Sequence, residues 1–541
     1  MSEPMDSGGA AGSTPTSDRA PAAGGRARIA AAVVSLRGIP IEAILVGLGL
    51  FALLTLFVAA DPAAKVTYSF SPFTDEGFNL VNSRNLIQLG RWSTDDWTRH
   101  LVELPFSLLE AAVFRVFGVG IVQARLPMIV CVSLTATSLV WGLRSLVGRT
   151  WAVFAGLAFA GCGLILYYGR LVYLEDLVVL CITLGTLVLL REGFLTLRGG
   201  ILSGLLYAIA IGTKPNAAFA IAGIVVVLTF IWGWRDRGLR RWLAGVGLAV
   251  AVSGTLWTAV IWLPNQAAVA IDFATWPPLR LSLTPSELVA SVKNYVVGGS
   301  DHVVGSLLGP LLALGGAGTA AIALFRTRLT PVQARLAAAA FGWAALGFAI
   351  LLVVDYRPNR YVVPLVPALA ILAAIGLYLA GQWLLERLET RGARQEISGQ
   401  AGSARPGSVR RASVLEGRAI PLLAVAAILV AVAPGLRLYI NWSRTATYDL
   451  VSIQDRFAAA VPPGERVAGR DVALFLMESQ AVATIVGLAN NGDLYAQGTR
   501  WYLEAPDAAA PTGVPDAIWA SQQRVMCADY GGATECLFHV P

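Results

Sequence analysis

Twelve apolar runs punctuate this chain, most of them close to the length that crosses a bilayer, and they decide what it can fold into. They fall at about 41–60, 106–118, 124–147, 150–168, 174–190, 200–213, 217–234, 243–263, 304–325, 336–354, 361–383 and 420–438. A hydrocarbon core about 30 Å thick takes about 20 residues of helix. The run at 106–118 is short and charged at its ends, so it reads as an interfacial or re-entrant helix, which leaves eleven spans. Composition agrees: 56% of the 541 residues are hydrophobic, 14% are charged, and the mean hydropathy is +0.64. Soluble domains carry roughly a quarter charged residues, so one water-soluble core is excluded, as are a disordered chain, collagen and a disulfide-dense scaffold. The net charge of +7 needs no nucleic acid, because basic residues collect in cytoplasmic loops of membrane proteins.

The loops give an orientation. With the N-terminus inside, the cytoplasmic segments carry 22 basic residues and the outer loops before the C-terminal segment carry ten. That bias predicts N-in and C-out. Residues 1–38 are rich in Gly, Ala, Ser and Pro and lack the apolar stretch of a secretory signal, so they read as a disordered cytoplasmic tail. Residues 39–440 form the membrane region, within which 384–419 is a basic cytoplasmic linker beside anionic lipid. Residues 441–541 alternate strand-like runs (ERVAG, VALFLM, ATIVGL, RWYLEA, RVMCADY) with Pro/Gly turns, as in a small extracytoplasmic α/β domain. Cys527 and Cys536 flank a Gly-Gly turn there; the spacing alone leaves their pairing open. Cys131, Cys162 and Cys181 lie within spans and read as small packing residues. His100, His302 and His539 are too scattered for a zinc site.

Chemistry is expected where charge meets the outer ends of spans. A charged group at membrane depth costs about 2.5–3.5 kcal/mol on insertion scales, so it persists mainly where it pairs or lines a site. Four such clusters share the outer face. SPFTDEGF places Asp75 and Glu76 at the start of an amphipathic surface helix, where acids also favour the helix dipole. YYGRLVYLED places Arg170, Glu175 and Asp176 at the start of a span. Paired carboxylates such as Asp75 and Glu175 suit either a divalent cation, magnesium or manganese, or an acceptor hydroxyl and its base. GTKPNA ends a span on Lys214, a point charge for a phosphate or a snorkelling cation. DYRPNRYVVP brings Arg357, Arg360 and Tyr361 to the mouth of another span, and arginine forks match phosphate oxygens.

These stretches, TDEGFNLVNSRNLIQLGRW, LPFSLLEAAVFRVFGVGIVQARLP, YYGRLVYLEDLVVL, GTKPNA and RYVVPLVPAL, occur in the order seen in GT-C-type glycosyltransferases that use polyprenyl-phosphate sugars. The chain resembles the protein O-mannosyltransferase-like and aminoarabinose-transferase-like members over about residues 41–385. The resemblance implies an all-α polytopic bundle with two juxtamembrane helices, at 75–90 and 106–118, and inverting sugar transfer on the outer face of a bacterial cytoplasmic membrane. It implies Asp75 as the base with Glu76 beside it, Glu175 with Asp176 as the second acidic position, and Lys214, Arg360 and Tyr361 near the donor; Arg357 and Arg170 are expected from their charge alone as further phosphate contacts. The partners implied are a polyprenyl-phosphate-linked sugar, an extracytoplasmic acceptor and the bilayer. One departure stands out: relatives carry Lys-Pro-Pro where this chain reads VELPF, so Glu103 sits near the expected lysine, and His100 and Glu103 become candidates. The rivals are a transporter or flippase, which would place its charges near the bilayer midplane, and a non-catalytic scaffold.

Overall fold

In lipid an apolar run satisfies its backbone polar groups only as a helix or within a closed barrel, and this chain takes the first course. The computed structural model describes residues 38–62, 74–93, 101–190, 192–233, 235–267, 269–270, 284–293, 295, 304–354, 359–398, 407–486, 493–511, 513–530 and 533–541. The chain divides after Ile41, and Glu42–Pro541 forms one compact unit. The tail at 1–37, His100, His302 and Arg357 lie outside the described residues.

The helices in chain order are α1 (Ile41–Thr55), α2 (Thr74–Gln88), α3 (Leu104–Phe117), α4 (Ile121–Ala160), α5 (Gly163–Tyr168), α6 (Leu174–Leu187), α7 (Leu197–Thr213), α8 (Ala217–Leu228) and α9 (Arg237–Trp257). They continue with α10 (Pro285–Val292), α11 (Val304–Leu324), α12 (Pro331–Val353), α13 (Val366–Ser398), α14 (Gly407–Ser443) and α15 (Asp449–Ala460). Among the described residues, five helical stretches are long and apolar enough to cross a membrane: Ile121–Ala160, Arg237–Asn265, Pro331–Val353, Asn359–Arg387 and Pro421–Ser443. Shorter apolar helices lie at Ile41–Thr55, Leu197–Thr213, Ala217–Gly233 and Leu308–Leu324.

The runs at 124–147 and 150–168 separate where the sequence suggests. Within α4 the backbone leaves the helical region at Gly148, at φ 76° and ψ 169°, a conformation open to glycine, so Ile121–Ala160 is two helices joined at a sharp turn. A Cβ on Gly156 would meet Val140 and the Ala136 carbonyl, so the second helix folds back along the first. A further break falls at Gly161–Cys162, before the short α5. The expected 384–419 linker, by contrast, is largely helical. α13 runs on to Ser398 and α14 begins at Gly407, because ERLETRGARQEI is rich in strong helix formers.

The C-terminal segment carries five strands, β1 (Arg466–Gly469), β2 (Val482–Ile485), β3 (Trp501–Glu504), β4 (Gln523–Tyr530) and β5 (Ala533–His539). Their order is β2-β1-β3-β5-β4. β1 pairs in parallel with β2 and β3, whereas β5 runs antiparallel to both β3 and β4. Cys527 and Cys536 stand opposite each other on β4 and β5 and are disulfide-bonded. Two details differ from the sequence reading. VALFLM is not a strand but a buried short helix, α16 (Val472–Phe475), while ATECLFH forms β5. A last short helix, α17 (Asp516–Trp519), precedes β4.

α2 joins the two regions. A Cβ on Gly77 would meet the Leu474 backbone nitrogen of α16 at 2.4 Å of its ideal position, so the two helices touch backbone to backbone. Arg84 of α2 is fully buried. Its Nε donates to the Leu476 and Met477 carbonyls at 3.1 Å, and its Nη2 to those of Ser479 and Ala481 at 2.6 and 2.7 Å. A hydrophobic run that would otherwise pair as a strand therefore finds its carbonyl partners in an arginine from the membrane region.

Candidate active site

Local sequence brings four charges together at one end of the bundle. Asp75 lies in the first turn of α2 and Glu175 in the first turn of α6, positions that the helix dipole favours for acids. Lys214 is the C-cap of α7. Pro215 follows it, and the residue before a proline is pushed out of the helical region; Lys214 accordingly adopts φ −151°, ψ 112° and leaves the helix axis. Arg360 belongs to the 3-10 run Asn359–Leu365 that leads into α13.

The four form an alternating chain. Arg360 Nη1 lies 2.8 Å from Asp75 Oδ2, and its Nε lies 3.7 Å from Glu175 Oε1. Lys214 Nζ donates to the same Glu175 oxygen at 2.5 Å. The other oxygen of Glu175, Oε2, is buried without a hydrogen-bond partner. Aromatic faces complete the surround. Lys214 Nζ sits 4.3 Å over the Tyr361 ring, and the Arg360 guanidinium carbon lies 5.6 Å from the Tyr173 centroid and 5.4 Å from that of Tyr361, within cation–π range. Asp75 keeps 20% of its side chain exposed, against 1% for Glu175, so it is the carboxylate most open to an incoming group.

The other expected residues lie elsewhere. Glu76 is buried in a two-pronged pair with Arg125: Nε donates to Oε1 at 2.8 Å and Nη2 to Oε2 at 2.7 Å, and the Val172 N–H adds a bond to Oε1 at 3.0 Å. Arg170 is fully buried and turned away from the quartet. It donates to the carbonyls of Phe57, Ala60 and Asp61 and stacks 4.3 Å over Trp442. Asp176 is fully buried, and neither of its oxygens has a hydrogen-bond partner. Glu103 is buried at the turn before α3, and Pro105 packs near Gly212 of α7, which brings that turn beside the Lys214 end.

A divalent cation fits poorly between Asp75 and Glu175, because the Arg360 guanidinium contacts both carboxylates and Lys214 holds Glu175 as well. No group of three or more His, Cys, Asp or Glu side chains suited to a metal occurs among the described residues.

Sequence reading missed Tyr173, Arg125 and Arg84. Arg125 had a legible signal: an arginine inside an apolar run requires a buried partner. Arg84 lies in a polar stretch where nothing distinguishes a buried arginine from a solvated one.

The bundle with its charged end and appended sheet has a GT-C-like fold. The chain superposes on the crystal structure of ArnT from Cupriavidus metallidurans bound to undecaprenyl phosphate with a TM-score of 0.62. The overlap covers 92% of this chain and 97% of that one, at 16% sequence identity. A weaker likeness, TM-score 0.46 at 11% identity, is to the archaeal oligosaccharyltransferase AglB from Archaeoglobus fulgidus in complex with an inhibitory peptide and a dolichol-phosphate; it covers 84% of this chain and 69% of that one. No protein-family model matches the chain, and no curated protein does.

Proposed function

We propose that this chain is a membrane glycosyltransferase that moves a sugar from a polyprenyl-phosphate carrier to an extracytoplasmic acceptor, with inversion. The observation that carries the reading is the alternating Asp75–Arg360–Glu175–Lys214 chain at one end of the bundle. Asp75 accepts the proton of the acceptor hydroxyl as its oxygen attacks the anomeric carbon. The bond from that carbon to the phosphate oxygen breaks, and its electron pair leaves with polyprenyl phosphate. The leaving group is already an anion, so charge neutralisation by Arg360 and Lys214 serves it better than a general acid would. A donor phosphate that engages Arg360 takes over part of the charge now holding Asp75, which releases the base in the same step. Glu175 keeps both cations in place, and Glu76 positions α2 through Arg125 without reacting itself. No divalent cation is used in this scheme.

The membrane is the bacterial cytoplasmic membrane, with the N-terminus inside and the site and C-terminal domain outside. The loop charge bias and the Cys527–Cys536 bridge, which suits an oxidising compartment, support this orientation. The domain at 441–541 lies against α2 and helps select the acceptor. Likeness to a fold crystallised with undecaprenyl phosphate favours a polyprenyl carrier.

Binding of short-chain polyprenyl phosphate to detergent-purified protein tests the donor side. Lys214→Met and Arg360→Gln are each expected to weaken binding about tenfold or more, since hydrogen bonds to charged groups contribute about 1.5–3 kcal/mol. Wild-type affinity in both variants refutes the phosphate assignment.

A further inference from the structure

The opposite end of the bundle carries a second charged feature that the proposed reaction does not use. A cavity of about 740 Å³ opens between the starts of α7 and α9, lined by Phe194, Thr196, Leu197, Leu202, Arg198 and Arg241 among others. α7 has 17 residues and ends on Lys214, so at 1.5 Å per residue the cavity lies about 25 Å along that helix from the candidate active site. Close helix contact gives it a firm floor: Gly200 of α7 abuts the Trp242 backbone of α9, and Trp242 Nε1 donates to Ser203 Oγ at 3.2 Å.

The charge at this end is unbalanced. Arg198 sits in the first turn of α7, and Arg237, Arg240 and Arg241 begin α9. Cations there oppose the positive ends of both helices. Asp236 caps α9 through the Leu239 N–H and lies 3.9 Å from Arg335. Neither Arg198 nor Arg241 makes an ion pair or hydrogen bond with any described residue. Beside them, Phe194, Leu197 and Leu202 expose 37%, 45% and 46% of their surface. Two arginines over an exposed apolar strip match an anionic head joined to an acyl chain and do not match a free anion.

We propose that this cavity binds one acidic glycerophospholipid, its phosphate held by Arg198 and Arg241 and its acyl chain lying along Leu197 and Leu202. The assignment is independent of the sugar-transfer reading.

Native mass spectrometry of the full-length protein in detergent, titrated with phosphatidylglycerol or phosphatidylcholine, tests it. Wild type is expected to hold one phosphatidylglycerol in preference to phosphatidylcholine. The double variant Arg198→Gln/Arg241→Gln should bind that lipid about 25-fold more weakly, at roughly fivefold per basic residue. Arg237→Gln/Arg240→Gln, which leaves the cavity lining intact, should stay within about twofold of wild type on the same scale. All four side chains are exposed, and Arg198→Gln alone provides a milder variant with the same expected direction. Equal loss in both double variants would reduce the effect to general surface charge and overturn the site. So would unchanged binding in Arg198→Gln/Arg241→Gln, or displacement of the lipid by inorganic phosphate at matched concentration.

Discussion

Glu76→Gln is the substitution whose outcome the structure constrains most tightly. Glu76 and Arg125 are 1% and 0% exposed, and their two-pronged contact runs at 2.8 and 2.7 Å. The remaining Arg125 nitrogen, Nη1, donates to the Val58 and Ala60 carbonyls at 2.8 Å. The amide keeps the shape and can still accept from Val172, but it removes the negative charge and sets an NH2 group against a guanidinium. Arg125 is then a buried cation without its counter-ion, which costs about 3–5 kcal/mol. Arg125→Met leaves the converse, a buried carboxylate, and should cost a similar amount. The double variant removes both charges at once and leaves the Val58 carbonyl and the new amide N–H groups at position 76 as the main unpaired groups, at about 1–3 kcal/mol each. Denaturant titration in detergent micelles, followed by tryptophan fluorescence, reads all three. The double variant should be less destabilised than the sum of the singles by more than about 2 kcal/mol, well beyond the scatter of independent sites. Additive losses, or a Glu76→Gln protein within about 0.5 kcal/mol of wild type, would refute the buried-pair argument and return Glu76 to the list of reactive groups.

Arg84 offers a second test. Burial holds its guanidinium down to about 10, and Arg84→Gln strips donors from carbonyls between Leu476 and Ala481. Hydrogen exchange across 472–482 should rise at least about tenfold, the opening expected for a loss above about 1.4 kcal/mol; unchanged protection would mean the sheet docks without it. The C-terminal domain should also lose stability as pH rises. Burial, with the charge of Asp471 adding to it, pushes Glu504 and Glu535 from 4.5 up to about 7, against a smaller opposing effect of Arg470. The folded domain holds more protons than the unfolded one between those values, so stability falls as pH rises from 4.5 to about 7 and levels off above. Glu504→Gln should flatten that slope, and a melting profile that rises with pH in wild type would contradict the assignment.

The membrane fold was legible because its signal is long and crude: runs of Leu, Ala and Val at span length admit only helices. Boundaries were not legible where tertiary contact decides them. The turn at Gly148 was legible as the gap between two apolar runs, but VALFLM has a strand's composition and meets Arg84 and Gly77, not a sheet partner. In the site, Asp75, Glu175, Lys214 and Arg360 were marked by charge at span ends, and the structure brings these four together. Proximity in sequence misled for their neighbours. Glu76 is one residue from Asp75, and Asp176 one from Glu175, yet successive helical positions point about 100° apart. Arg170 shares a motif with Glu175 but grips the 57–61 backbone. Direction around a helix axis depends on which face packs, and a single sequence shows that only when the periodicity is strong.

The central claim is that Asp75 removes the acceptor proton while a polyprenyl-phosphate sugar departs. The direct measurement is the initial rate of polyprenyl phosphate release by wild type and Asp75→Asn, with membrane extract as acceptor source, a panel of synthetic donors, and parallel assays with and without chelator. Wild type should turn over at least one donor with and without chelator, and Asp75→Asn should lose about 10²–10⁴-fold in rate, the usual worth of a general base, while binding that donor as well as wild type does. Equal rates in the two proteins would contradict the account.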